Sequence, residues 1–544
     1  MPPPAAARRR VADVVFMAKV LVGSGVAHPD RPDRLVRAGI ALRRWGPTPA
    51  AGYTASAARV PDATAIDDER GTLSFGDVDR RTNALAHSLR DAGVGEGDGV
   101  GILVRNHRGF VEATVACSKL GADALYLNTG FAGPQIADVV ARERPVALIH
   151  DEEFTELCAG ATPGRETFLA WHEASDRATS RPPTLEQLIA AGDERSLRPP
   201  ERPGKVVILT SGTTGTPKGA SRRQPDSLAP AASLLSKIPL RAREPTVIAA
   251  PLFHSWGFAH FTLALALSST LVLRRRFDPA QTLAALAQSR ATALVVVPVM
   301  LQRILDLGGA AIAEHDLGRL RVIAASGSAL PGELAERVMD QLGDVLYNLY
   351  GSTEVAWVTI ATPADLRAAP GTAGSPPRGT TVRLYDDAER PVAAGESGRI
   401  FVVNELLFDG YTGGGGKDVI DGLMSTGDVG HFDAAGHLFV DGRDDEMIVS
   451  GGENVFPAEV EDLLARHPEI ADAAVIGVRD DRFGARLKAF VVRSAGSELS
   501  EEAVKRHVKE NLAGYKVPRE VAFLDELPRN STGKVLKREL ADDG

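Results

Sequence analysis

Residues Thr210 to Ala220 read T-S-G-T-T-G-T-P-K-G-A and directly follow the apolar run Val206-Val207-Ile208-Leu209. A short β-branched run ending in glycines and hydroxyls is a strand that delivers a turn. Such a turn suits polyphosphate. Gly212 and Gly215 let backbone N–H groups approach oxygens closely, Thr210, Ser211, Thr213 and Thr214 offer hydroxyls, and Lys218 brings charge. The spacing is not that of a Walker A loop, because Thr216-Pro217 separate the second glycine from the lysine. A surface loop rich in Gly and Thr would have the same composition, so the decision falls to the segments downstream.

Those segments come in a fixed order. Pro251-Leu252-Phe253-His254-Ser255-Trp256-Gly257 sets a histidine among aromatics after a strand. Ser326-Gly327-Ser328-Ala329-Leu330-Pro331 follows another strand, and Tyr350-Gly351-Ser352-Thr353-Glu354 ends a third apolar run. Ser425-Thr426-Gly427-Asp428 presents a carboxylate in a turn, and Gly442-Arg443-Asp444-Asp445 forms a charged break. Ser450-Gly451-Gly452-Glu453-Asn454-Val455 comes next, and Pro528-Arg529-Asn530-Ser531-Thr532-Gly533-Lys534 precedes a terminal helix. Taken singly, His254 reads as a core histidine and Asp428 as a turn residue. Taken together with the loop, over about residues 50–540, they resemble the AMP-forming adenylate-forming superfamily of acyl-CoA synthetases, luciferases and peptide-synthetase adenylation domains.

That resemblance implies a chemistry in which a carboxylate attacks an α-phosphate already surrounded by negative charge. The site must neutralise and position, and needs no covalent nucleophile. By resemblance, residues 210–220 hold the β- and γ-phosphates, and Glu354 with Thr213 ligates Mg²⁺, a hard cation that prefers oxygen. Ser352 and Thr353 touch phosphate or AMP. Tyr350 and Gly351 face one side of adenine and Gly327-Ser328-Ala329 the other. Asp428 accepts both ribose hydroxyls with Arg443 nearby, and Lys534 reaches the substrate carboxylate during adenylation only. The catalytic set is then Lys534, Glu354, Lys218 and Thr353. The small domain afterwards rotates about Asp445, with Asp444 as the alternative hinge, and coenzyme A passes Gly451 and Gly452. A β-turn would want those two glycines as well. The cofactors implied are ATP, Mg²⁺ and coenzyme A.

The acid itself is read from the wall. Amino-acid-activating members carry an acidic residue just after the aromatic motif, and His254 to Phe261 contains none. A substrate ammonium would face an unpaired apolar surface. His254, Trp256, Phe258, Val299 and Met300 are expected to line an acyl chain instead. No carrier-protein serine motif follows the small domain, which makes a separate acceptor, coenzyme A, the simplest expectation. The chain thus resembles actinobacterial fatty acyl-CoA synthetases, acting on a medium- or long-chain fatty acid. A fatty acyl-AMP ligase serving a carrier protein, and a non-catalytic homologue that only binds, stand as alternatives; Lys218, Glu354, Asp428, Arg443 and Lys534 together weigh against the second.

The elements that must position these residues follow from pattern. A chain of 544 residues exceeds one hydrophobic core. From Tyr53 onward, β-rich runs alternate with helical ones: a helix at 75–92, a strand at 99–104, a helix at 110–120, and strands at 122–127, 146–150, 246–250, 294–297 and 321–325. Short strands at 381–385, 398–403 and 437–440 mark a β-rich subdomain. Helices at 458–465 and 501–513 flank strands at 473–478 and 489–492. The expected fold is α/β: a basic extension over 1–50, a large ATP- and acyl-binding domain over 51–443, and a small mobile α+β domain over 444–544 that carries Lys534.

Net charge of −9 argues against nucleic acid as a partner, and two cysteines give neither a disulfide framework nor a metal cluster, which fits a reducing, cytoplasmic setting. Monomer and homodimer are both compatible with the sequence. Residues 1–45 depart from the overall charge, with nine Lys/Arg against three Asp/Glu, a local +6. Asp13 and Lys19 interrupt the apolar run after Arg8-Arg9-Arg10, so it reads neither as a signal peptide nor as a membrane span. Arg34 to Trp45 patterns as a basic amphipathic helix. It suits an arm packed on its own domain or a peripheral contact with anionic lipid.

Overall fold

The computed structural model describes residues 5–28, 30–160, 166–173, 182–210, 218–222, 227–412, 414–444, 448–450, 453–480, 484–512, 514–530 and 533–542. Two large sheets build the body. The first runs in the order Thr359–Ala361, Leu346–Tyr350, Val322–Ala325, Ala293–Val296, Thr246–Ile248, Leu271–Leu273, Thr64–Asp68, Gly71–Ser74. Its inner pairings are parallel and its two edge pairings antiparallel. Inner strands such as Val322–Ala325 are apolar throughout and buried, as strands covered on both faces must be.

The second sheet runs Gly410–Tyr411, Lys218–Arg222, Val206–Thr210, Asp123–Tyr126, Gly99–Leu103, Ala147–Asp151, Glu166–Trp171. One continuous core joins it to the first. Helix Arg108–Leu120 lies in that core with all but one residue buried. Its Phe110 ring stacks on Tyr126 of the second sheet at 5.0 Å and meets Phe261 edge-on at 6.3 Å. Phe261 belongs to helix Ser255–Leu267, which follows a strand of the first sheet, so one aromatic contact fixes both sheets around the acyl-side motif.

The β-rich subdomain pairs Thr381–Tyr385, Gly398–Val403, Leu423–Phe432 and Leu438–Arg443 antiparallel. Here the structure corrects one expectation. Asp428 sits not in a turn but inside the strand Leu423–Phe432, at an irregularity where pairing jumps from Phe401↔Ser425 to Arg399↔Val429. Ser-Thr-Gly-Asp has turn chemistry, yet here the surplus residues bulge from a continuing ladder.

After Arg443 a separate core begins. Strands Ile470–Asp480, Gly484–Arg493 and Glu520–Leu524 pack with helices Pro457–Ala465 and Glu501–Asn511 around Val455, Val460, Val475, Val491 and Val504.

The N-terminal residues form helices Ala5–Gly23, Pro32–Trp45 and Pro49–Arg59. The first had no clear pattern because Asp13 and Lys19 break the apolar run; both lie on its exposed side. These helices are tied to the body. Asp13 pairs with Arg378 at 2.8 Å, Phe16 lies under the same guanidinium at 4.5 Å, and Asp30 pairs with Arg59 at 2.9 Å and Arg243 at 2.5 Å. No helix among the described residues is long and apolar enough to cross a membrane.

Candidate active site

The parallel strands of the first sheet end on one side, where α/β folds place their ligands. Strand Val322–Ala325 delivers Gly327, Ser328 and Ala329, strand Leu346–Tyr350 delivers Tyr350 to Glu354, and strand Thr246–Ile248 leads to His254 and Trp256. All of these line one cavity of about 2030 Å³, together with Lys218, Phe258, Val299, Gly351, Ser352, Thr353, Asp428, Arg443 and Lys534. Gly351 is required by close approach, since a Cβ there would stand 2.2 Å from the Ala356 carbonyl oxygen.

A carboxylate centres one end. The Tyr350 hydroxyl donates to Asp428 Oδ2 at 2.5 Å, and Arg443 approaches Oδ1 at 3.5 Å. Burial raises the Asp428 carboxyl above its usual range, while the Tyr350 hydrogen bond and the charges of Arg443 and Lys534 oppose that rise. Burial and the neighbouring Asp428 push the Tyr350 phenol well up. A carboxylate with acceptor capacity left over, beside an aromatic ring, fits a nucleoside diol.

The anionic end holds Glu354 and Lys218. Tyr411 donates to Glu354 Oε1 at 2.9 Å, and Lys218 Nζ stands 5.3 Å from the centre of the Tyr411 ring. Thr353 donates to Ser255 Oγ at 3.4 Å. Among the described residues no cluster of three or more His, Cys, Asp or Glu could hold a metal ion. Glu354 offers this end a carboxylate, the ligand type a hard cation such as Mg²⁺ prefers. Burial pushes the thiols of Cys117 and Cys158 up to about 12, so neither is a nucleophile at neutral pH.

Lys534 arrives from the small domain on a tight loop. Its backbone N–H donates to Asn530 Oδ1 at 2.9 Å, and Arg529 donates to the Gly533 carbonyl and to Asp472 Oδ2, the latter at 2.6 Å. Gly533 has φ of +80°, and a Cβ there would lie 2.3 Å from Val299 Cγ1. The loop thus rests on the acyl-side helix Pro298–Leu305, with the lysine charge acting on Asp428 across the domain boundary.

The apolar wall follows helix Ser255–Leu267. Trp256 donates to the Val296 carbonyl at 3.0 Å, and Phe258 packs on Tyr126 at 5.1 Å. Burial alone lowers the His254 imidazole to about 4, keeping it neutral. Met300 is a correction: it is buried in the main core, while Val299 and Gln302, three residues apart on one helix face, line the cavity.

Ser211, Gly212, Thr213, Thr214, Gly215, Asp445, Gly451 and Gly452 lie outside the described residues; Thr210 closes the strand Val206–Thr210. Sequence reasoning missed Tyr411, which a lone Gly-Tyr gives no cue to find. It also missed the N-terminal helices as walls: Leu21, Val26, Ala38, Leu42 and Ser56 line the same cavity.

Residues 53–412 match the family of AMP-binding enzymes, and residues 459–534 match the AMP-binding enzyme C-terminal domain. The chain is 36% identical to a feruloyl-CoA synthase of an Amycolatopsis species over 88% of its own length and 96% of the relative's. It is 34% identical to an indoleacetate–CoA ligase of Aromatoleum aromaticum over 88% and 95%. Among solved structures, the anthranilate CoA ligase AuaEII in complex with anthranoyl-AMP superposes with a TM-score of 0.82 at 25% identity, covering 91% of this chain and 97% of that one. These relatives are named for aromatic acids, whereas the residues after His254 suggested a fatty acid.

Proposed function

The chain belongs to the AMP-binding enzyme family and is an AMP-forming acid–thiol ligase that uses ATP, Mg²⁺ and coenzyme A; we propose that its acid is a medium- or long-chain fatty acid. In the first half-reaction a carboxylate oxygen bonds to the α-phosphorus and pyrophosphate leaves, giving an acyl-adenylate. In the second, the coenzyme A sulfur bonds to the acyl carbon and AMP leaves.

In this reading Asp428 and Arg443 hold the ribose, Tyr350 the adenine, and Glu354 the metal. Lys218 and the loop after Thr210 hold the departing phosphates, and Lys534 neutralises the charge that builds on the carboxylate and the bridging oxygen. In the same reading the small domain, whose Lys534 lines the cavity with Asp428, turns about the 444–445 break to admit the thiol.

The observation that carries the fatty-acid reading is the reach of the cavity. Besides His254 and Phe258 it is lined by Thr262, Leu263 and Ala266, by Leu234 and Leu235, and by Leu21, Ala38 and Leu42 of the N-terminal helices, an apolar wall that a long chain can cover. A compact aromatic acid leaves part of that wall uncovered, whereas each buried methylene of a chain contributes about 0.8 kcal/mol. An aromatic acid is the second reading, favoured by the 36% identity to a feruloyl-CoA synthase.

Pyrophosphate release measured over a panel of acids, with and without coenzyme A, separates the two. Catalytic efficiency rising by roughly tenfold for each two carbons from butanoate to octanoate supports the chain. Ferulate, indoleacetate or benzoate turning over faster than both octanoate and palmitate overturns it.

A further inference from the structure

Of the ten large apolar side chains that stand exposed among the described residues, seven belong to residues 14–42: Val14, Val15, Val22, Leu35, Val36, Ile40 and Leu42. Concentration on two helices, rather than scatter, is what marks a surface with an occupant. On helix Ala5–Gly23, Val15 and Val22 are 61% and 64% exposed, with exposed Lys19 between them on the same stripe. On helix Pro32–Trp45, Val36 and Ile40 are 62% and 51% exposed, and exposed Arg43 continues the stripe one turn on.

Two apolar residues and one cation at i, i+4 and i+7 suit a helix lying in a lipid interface, its long cationic side chain reaching out to headgroups.

Charge complementarity identifies the occupant. Residues 1–45 carry +6 on a chain whose total is −9, so the remaining 499 residues carry −15. All three anions of the extension are neutralised within the protein. Asp13 pairs with Arg378, Asp30 with Arg59 and Arg243, and Asp33 with Arg31 and Arg37. Lys19, Arg43 and Arg44 stand exposed. A second copy of this chain laid face to face would set its own Lys19, Arg43 and Arg44 against these cations, and among the described residues the exposed large apolar side chains outside the two helices are Val146, Leu228 and Val419 alone. An anionic bilayer supplies both.

The inner side of the same helices completes the picture. Leu21, Ala38 and Leu42 on these helices, and Val26 between them, line the substrate cavity, and Leu42 and Leu228 are at once cavity wall and exposed surface. The cavity therefore reaches the surface at Leu42, on the edge of the second of these helices. The family match spans residues 53–412, so both helices lie ahead of the matched region.

We infer that helices Ala5–Gly23 and Pro32–Trp45 dock the enzyme on an anionic bilayer with the edge of the cavity at Leu42 against the lipid, so that the acyl chain enters from the membrane. Delivery of the chain rests on the fatty-acid reading above; docking does not.

Co-sedimentation of the full chain with phosphatidylcholine vesicles, with and without phosphatidylglycerol, tests the docking. The wild type is expected to bind the anionic vesicles and leave the neutral ones. Each cation near an anionic surface contributes about fivefold, so Arg43→Gln/Arg44→Gln lowers partitioning by roughly 25-fold. Val36→Asp/Ile40→Asp lowers it on the order of 10². None of these four side chains lines the cavity, so thermal unfolding and turnover of dissolved octanoate stay unchanged, while turnover of vesicle-borne palmitate falls with binding. Equal partitioning to both vesicle types, or binding that ignores the substitutions, overturns the proposal. So does a wild-type dimer that Val36→Asp/Ile40→Asp splits into monomers, since a second copy would then cover the face. If octanoate and palmitate are not substrates, the fatty-acid reading fails and the vesicle result still decides the docking.

Discussion

The Tyr350 hydroxyl and Asp428 Oδ2 lie 2.5 Å apart, joining the end of a parallel strand in one sheet to a bulged strand of another. One contact therefore sets both the aromatic face and the carboxylate that a nucleoside would meet. Arg443 stands at the other carboxylate oxygen at 3.5 Å, so removing the charge of Asp428 weakens the acceptor that guanidinium and phenol share.

Asp428→Asn keeps the shape and removes the charge. A hydrogen bond to a charged group contributes about 1.5–3 kcal/mol, so kcat/KM for ATP should fall by roughly 10–100-fold. Tyr350→Phe removes only the donor and should cost about tenfold at most. The check is pyrophosphate release against ATP concentration, with thermal unfolding as the control. An unchanged dependence on ATP for Asp428→Asn would remove the carboxylate from nucleotide binding.

Lys534→Ala separates the half-reactions. Its charge bears on Asp428 from the small domain, and the proposed role of Lys534 is confined to adenylation. Losing such a preorganised contact costs on the order of 10²–10³ in rate. Acyl-adenylate formation should drop by that factor, and thioester formation from pre-made acyl-adenylate should persist. Equal losses in both steps would show that the lysine serves neither step selectively.

The approach of Gly533 to Val299 yields a sharper test of the same placement. Alanine at 533 must adopt φ near +80° and put its Cβ 2.3 Å from Val299 Cγ1. The left-handed backbone alone costs about 1–2 kcal/mol, and the clash pushes the lysine loop off the helix. Gly533→Ala should slow adenylation more than tenfold while leaving the second half-reaction intact. Adding Val299→Ala removes the clash but not the backbone strain, so it should restore part of the loss. Absence of any rescue would mean that the loop does not rest on Val299 when it acts.

Much of this arrangement was legible because parallel strands deliver their loops to one side. Once Val206-Val207-Ile208-Leu209 and the runs before Gly327 and Tyr350 read as strands, their following residues had to converge. What stayed hidden depended on phase or on long-range pairing. Helix Pro298–Leu305 buries Met300 and turns Val299 to the cavity, and the cue lay in Gln302 and Arg303, which mark the unburied face three and four residues after Val299. Ser425 to Asp428 looks like a turn because the pairing that makes it a strand comes from Gly398–Val403, far away in sequence. The Tyr411–Glu354 hydrogen bond joins residues 57 apart and leaves no local trace. The N-terminal helices read as an extension, and only their packing on helices Ala229–Lys237 and Ser255–Leu267 makes them part of the cavity wall.

The last expectation concerns pH. His260 is 1% exposed, its Nδ1 lies 3.3 Å from the Trp256 carbonyl, and its Nε2 has no hydrogen-bond partner among the described residues. Burial lowers its imidazole from 6.5 to about 4. Above pH 6.5 neither the folded nor the unfolded chain protonates this ring, and its contribution to stability is complete. Below that, the unfolded chain takes up a proton that the folded chain refuses, and stability is lost until the folded ring titrates near pH 4. Linkage puts the loss at about 2 kcal/mol by pH 5. His260→Leu fills similar space without a buried ring nitrogen, so it should change the unfolding temperature little at pH 7.5 and soften its fall between pH 7.5 and 5. Scanning the unfolding temperature of both proteins across that interval decides the matter. Parallel curves would show that the acid sensitivity of the large domain originates elsewhere.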